Sequence, residues 1–114
     1  MIIGEVCLQT NNVLNLANFY RSILKINEES NDEIHQFIIT EGTTLTIYND
    51  GNHKNNQNQN ISLAFTVEDV DLEYQRLMKL GVTFIEIPKI QPWGAKNMSF
   101  YDPDGNTIYF RSFK

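Results

Sequence analysis

Ile90 to Phe113 reads I-Q-P-W-G-A-K-N-M-S-F-Y-D-P-D-G-N-T-I-Y-F-R-S-F, and its centre, Asp102-Pro103-Asp104-Gly105-Asn106, decides the fold. Pro103 sets φ for the second position of a turn. Gly105 accepts the positive φ that other residues resist. On either side the apolar residues alternate, so Lys96 to Tyr101 and Thr107 to Phe113 read as two strands of one hairpin.

Working outward, Ile61 to Val67 alternates as a strand, with Ile61, Leu63, Phe65 and Val67 on one face and Ser62, Ala64 and Thr66 on the other. Glu68-Asp69 then opens a helix with acidic residues at its positive end. Val70, Leu72, Tyr74, Leu77, Met78 and Leu80 are expected to supply its buried side, and Gly81 ends it. Val82 to Ile87 is the next strand, followed by Pro88.

The first half repeats this order. Ile2 to Gln9 is a strand with Val6 and Leu8 opposite Glu5, Cys7 and Gln9. Asn11 or Asn12 caps a helix running to about Lys25, with Val13, Leu16, Phe19, Tyr20, Ile23 and Leu24 on its apolar face. Ile26 to Ser30 is expected as a short edge strand. Glu33 to Thr40 and Thr43 to Tyr48 are strands joined by the tight Glu41-Gly42 turn. Asn49 to Asn60 is polar, low in complexity and lacks an apolar anchor, so it is expected to be a mobile linker; His53 within it is expected to be solvated. The expected domain organisation is one domain over 1–114, with a first module over about 1–49, a linker over 50–60 and a second module over about 61–114.

The 114 residues suit one core, and the hydrophobic fraction of 41% is ordinary for a globular chain. A formal charge of -5 and only nine scattered Lys and Arg argue against a nucleic-acid partner. No apolar run approaches the roughly 20 residues of a membrane span, and the N-terminus lacks the pattern of a signal peptide. A single cysteine, Cys7, excludes an internal disulfide and fits the cytoplasm. Cys7 is expected as a small buried strand residue.

Three pieces of sequence carry a family resemblance. They are Asn15 to Leu24 (N-L-A-N-F-Y-R-S-I-L), Thr66 to Asp71 with Leu80-Gly81-Val82, and Pro92-Trp93-Gly94 followed by the Asp102 to Asn106 turn. Together they resemble the glyoxalase, bleomycin-resistance and extradiol-dioxygenase proteins, the vicinal oxygen chelate superfamily. The resemblance implies an α+β fold of two βαβββ modules that curve a mixed sheet around a cleft, and a homodimer. In metal-dependent members, His, Gln or Glu side chains on four inner strands hold a divalent metal. The matching positions here fall on Glu5, Thr46 (Leu45 if the register moves by one), Ser62 and Tyr109. Only Glu5 is a competent ligand, and one carboxylate does not hold zinc, nickel or iron in an open site. No metal or other cofactor is therefore expected.

Strand phase then predicts a cleft lined by Glu5 and Cys7, Thr46 and Tyr48, Ser62, Ala64 and Thr66, and Thr107, Tyr109 and Arg111. Trp93 adds an aromatic surface beside it. The expected ligand-binding residues are Glu5, Thr46, Tyr48, Ser62, Trp93, Tyr109 and Arg111, and the expected partner is a small organic molecule. Plainer roles compete: Glu5 as an ion-pair partner of Arg111, Tyr109 as packing, Trp93 as core filler. His35 shares the phase of Phe37 and Ile39, so a metal site using Glu5, His35 and a residue of a second chain also competes. The function these features favour is metal-independent binding of a small molecule, possible drug sequestration included. The alternative is a lyase, isomerase or dioxygenase using Glu5 with a metal or as a general base. A third alternative is an interaction module closed by a partner chain.

Overall fold

The computed structural model describes residues 1–55 and 60–113. Contacts divide the chain into two units, Met1–Asn55 and Asn56–Lys114. In order, the first unit holds β1 (Glu5–Gln9), α1 (Val13–Leu24), β2 (His35–Ile39) and β3 (Thr44–Tyr48). The second holds β4 (Ser62–Thr66), α2 (Val70–Leu80), β5 (Thr83–Ile90), β6 (Lys96–Tyr101) and β7 (Thr107–Ser112). The architecture is α+β, with a mixed sheet in each unit ordered β1-β3-β2 and β4-β7-β6-β5. Each sheet lays its first strand parallel to its last, β1 on β3 and β4 on β7. Parallel neighbours need a crossover, and α1 and α2 begin the two crossovers.

In the first unit, Asn12 caps α1 by accepting from the Asn15 backbone N–H at 3.1 Å. Lys25 ends the helix in the left-handed region at φ 59. Val13, Leu16, Ala17, Tyr20 and Ile23 are buried, as are Ile38, Leu45 and Ile47 of the sheet. Leu45 and Ile47 lie directly across from Val6 and Leu8, on the face opposite Glu5 and Cys7.

The edge strand expected at Ile26 to Ser30 does not form. Side-chain bonds instead hold the chain from its last residue, Ser30, into β2. Gln36 is buried and donates through Nε2 to the Ser30 and Asp32 carbonyls at 3.2 and 2.8 Å, while its Oε1 accepts from Arg21 Nη1 at 2.5 Å. Asp32 accepts from the Ile34 and His35 N–H groups, and these bonds hold its carboxyl below the ordinary aspartate value. Such local bonds compete with a sheet ladder.

The first part of the polar stretch read as a linker carries hydrogen bonds. Asn11 and the Lys54 backbone exchange two hydrogen bonds of 2.9 and 2.7 Å, Lys54 pairs with Asp50, and Gly51 N–H donates to Asn49. Residues 49–54 are thus tied to the N-terminal end of α1. Residues 56–59 of the expected linker lie outside the described residues.

In the second unit, Asp69 caps α2 by accepting from the Asp71 and Leu72 N–H groups, and Gly81 ends the helix at φ 77. Val70 and Leu77, two turns apart, are buried against the sheet. Leu72, Met78 and Leu80 are exposed instead of buried as expected, because only one stripe of a single-layer helix meets the sheet. Beneath α2, rings meet edge to face in a chain: Phe65–Phe110, Phe110–Phe100, Phe100–Phe84 and Phe84–Tyr74, with centroids 5.0 to 6.3 Å apart. Each such pair adds about 0.5–1.5 kcal/mol beyond burial. β5 extends beyond its expected end. Pro88 lies within it, tolerated because β5 is an edge strand whose pairing with β6 shifts register between Glu86 and Lys89.

The deciding turn forms as expected. The Asp102 N–H donates to the Asn106 carbonyl, and the Gly105 N–H to the Asp102 carbonyl, both at 3.0 Å. Gly105 sits at φ 83. The Asp102 carboxylate is buried and accepts from the Asp104 N–H, the Asn106 N–H and Asn106 Nδ2 at 2.8 to 2.9 Å. Replacing Asp102 by Ala strands these donors and is expected to cost about 2–3 kcal/mol. Asp69→Ala loses only an exposed cap, at about 1 kcal/mol. Urea unfolding of the two variants checks the order.

Candidate functional site

Register builds the open face of the first sheet, turned away from α1. Three cross-strand rows form it: Glu5, Thr44 and Ile39; Cys7, Thr46 and Phe37; Gln9, Tyr48 and His35. Thr46 Oγ1 donates to Glu5 Oε2 at 2.7 Å. Thr46 is only 2% exposed, so this hydroxyl is committed to orienting the carboxylate. His35 packs between two rings at a tilt, its centroid 4.3 Å from that of Phe37 and 5.0 Å from that of Tyr48. Its setting is aromatic.

Cys7 is exposed, not buried as expected, because no layer within the first unit covers this face. Partial desolvation, and then the Glu5 charge, push its thiol above the ordinary cysteine value. Both effects oppose thiolate formation.

The open face of the second sheet has corresponding rows: Ser62, Thr107 and Tyr101; Ala64, Tyr109 and Ser99; Thr66, Arg111 and Asn97. Small side chains on β4 stand beside Tyr109 and Arg111. Arg111 Nε donates to Thr66 Oγ1 at 3.1 Å, and its guanidinium carbon lies 5.2 Å from the Phe113 ring centroid. Glu5 and Arg111 each have a hydrogen-bond partner within their own unit, Thr46 and Thr66.

Trp93 lies at the tip of the β5–β6 hairpin and is 68% exposed, so it is not core filler. Gln91 N–H donates to the Ala95 carbonyl and Gly94 N–H to the Gln91 carbonyl, with Gly94 at φ 98. This turn repeats the bonding of the Asp102 turn, with proline second and glycine fourth in both.

A family model for the Glyoxalase/Bleomycin resistance protein/Dioxygenase superfamily matches residues 2–110. The chain belongs to this superfamily. Solved structures similar to it agree in fold. A glyoxalase/bleomycin resistance protein/dioxygenase family enzyme from Burkholderia phytofirmans is 15% identical over 100% of both chains, with a TM-score of 0.83. TioX from Micromonospora is 14% identical over 100% of both chains, with a TM-score of 0.78. Lactoylglutathione lyase from Agrobacterium tumefaciens is 17% identical over 96% of this chain and 92% of its own, with a TM-score of 0.75. Comparison with curated proteins returns no match.

The donor set does not suit the metal centre that some superfamily members carry. Of the four matching positions only Glu5 offers a carboxylate, and one of its oxygens accepts from Thr46. Ser62 and Tyr109 offer neutral hydroxyls, which are poor ligands for a transition metal. Among the described residues, no three His, Cys, Asp or Glu side chains group as a metal would need.

The sequence reading passed over Asn97 and Ser99 of β6. The alternation of Lys96 to Tyr101 already placed both on the face of Tyr109 and Arg111. It also passed over the packing of His35 between Phe37 and Tyr48, which only cross-strand register reveals. The setting of Cys7 is testable by alkylation. Iodoacetamide should modify Cys7 at neutral pH more slowly than it modifies glutathione, and Glu5→Gln should raise the rate. Wild-type modification as fast as glutathione, followed by mass spectrometry, would refute the raised thiol value.

Proposed function

We propose that this superfamily member is a metal-independent small-molecule-binding protein, with drug sequestration as its specific role. One observation carries the reading: β4 and β7 present Tyr109 and Arg111 beside the small Ser62, Ala64 and Thr66, with no carboxylate or imidazole on either strand. Tyr109 supplies an aromatic surface with a polar tip, Arg111 a planar cation, and the small residues room. Trp93 extends the apolar surface from its hairpin tip. Thr46, Tyr48 and Glu5 contribute the same mixture on the open face of the first sheet. The reading places the protein in the cytoplasm as a homodimer without nucleic-acid or membrane partners. A single cysteine and an acidic charge balance support it, and among the described residues no helix is long and apolar enough to cross a membrane.

A second reading is a lyase, isomerase or dioxygenase with Glu5 as general base or sole protein carboxylate. It is favoured by the Thr46 hydroxyl, which orients an otherwise exposed Glu5.

Metal content and melting separate the two. Protein purified without chelator or affinity tag is expected to carry less than stoichiometric metal, and added Ni²⁺, Zn²⁺, Mn²⁺ or Fe²⁺ is expected to leave Tm unchanged. A ligand of the native state must raise Tm by mass action, so one metal per chain with a raised Tm would replace the first reading by the second. For the binding face, Trp93→Ala and Tyr109→Ala should each weaken ligands found in a small-molecule screen by about five- to thirty-fold, the cost of removing a ring of this kind. Unchanged affinities in both variants would rule out this face.

A further inference from the structure

Two polar atoms on β6 lack partners. Ser99 Oγ and Asn97 Oδ1 are both shielded from solvent and make no hydrogen bond. Ser99 is 1% exposed. A buried polar atom without a partner is costly and rare, and it calls for a specific occupant. The two residues are i and i+2 on one strand, so their side chains emerge on the same face from Cα atoms about 7 Å apart. One –NH2 group carries two N–H donors, one for each oxygen, and serves both at an ordinary length of about 2.9 Å once the two side chains lean toward each other.

The charge around the niche restricts that group. Asn97 has a cation directly across on either side, Arg111 on β7 and Lys89 on β5. A cationic ammonium would meet both. Ser99 faces Tyr109 on one side and Glu86 on the other. A neutral donor suits this setting, and its carbonyl can turn toward Arg111.

We propose that Asn97 and Ser99 form a donor-reading niche that selects ligands bearing a neutral primary amide. This rests on the reading of the second sheet's open face as a binding surface, and it adds the chemical class that the surface prefers. Tyr109, directly across from Ser99 and half-buried, is the side chain that turns aside to admit the group. Without ligand the two oxygens stay unpaired, so the niche lowers the stability of the free protein in return for selectivity.

Benzamide and acetophenone test this, because they share a shape and differ in the –NH2 group. Both are titrated into ¹⁵N-labelled protein, and the backbone signals of β6 and β7 are followed. Benzamide should bind about five-fold more tightly, the discrimination expected of one net hydrogen bond. Ser99→Ala and Asn97→Ala should each remove that preference while leaving acetophenone unchanged. Ser99→Ala should also raise Tm of the free protein by a few degrees, since it deletes an unpaired buried group.

Equal affinity for the two probes would overturn the niche and leave the binding face standing. A lowered Tm in Ser99→Ala would also overturn it, because the hydroxyl would then already be satisfied, as by a buried water. If neither probe moves a β6 or β7 signal at its solubility limit, both the niche and the binding face fall.

Discussion

The buried carboxylate of Asp102 is the constraint on which the second unit depends. By accepting three N–H bonds from Asp104 and Asn106, it fixes where β6 ends and β7 begins. That sets the pairing of Met98 with Phe110, Phe100 with Ile108, and Ser99 with Tyr109. A strand alternates with period two, so a slip of one residue would exchange its faces. Phe110 would leave the ring chain beneath α2, and Tyr109 and Arg111 would leave the open face. One turn thus determines both the core and the candidate binding surface.

The two units show how a repeated order adapts to different local chemistry. Each joins its first strand to its last in parallel, and each covers one face with a helix. The second unit adds β5 after its helix. The first has a loop at the corresponding place, where Gln36 holds the Ser30 and Asp32 carbonyls and Asp32 holds the N–H groups that lead into β2. Arg21 anchors Gln36 from the helix side. The sheet is therefore one strand narrower in the first unit, and Phe37 and Ile39 on its edge remain exposed.

Much of this was legible before any coordinates. Pro103 and Gly105 announce the turn, Asp69 and Gly81 bracket α2, and alternation assigns most side chains to their faces. What stayed hidden depends on partners distant in sequence. The bond between Thr46 and Glu5 spans 41 residues, and the two between Asn11 and Lys54 span 43. Neither has a local signature. The exposure of Leu72, Met78 and Leu80 was missed for another reason: hydrophobic type alone overstates how wide a helical stripe a single sheet can cover. At the candidate site, residue types and faces were readable, whereas the unpaired oxygens of Asn97 and Ser99 emerge only from counting hydrogen bonds.

Pro88 and the register shifts around it have a consequence for colloidal behaviour. β5 is an outer strand of its sheet, and an outer strand presents unpaired backbone groups that can recruit another chain. Here proline removes one donor, Glu86 and Lys89 place opposite charges along the border, and the bulges break the regular ladder. A foreign strand arriving at this border finds no continuous row of groups to pair with. The exposed Ile85, Ile87 and Ile90 on the same strand can therefore be tolerated without seeding fibrils.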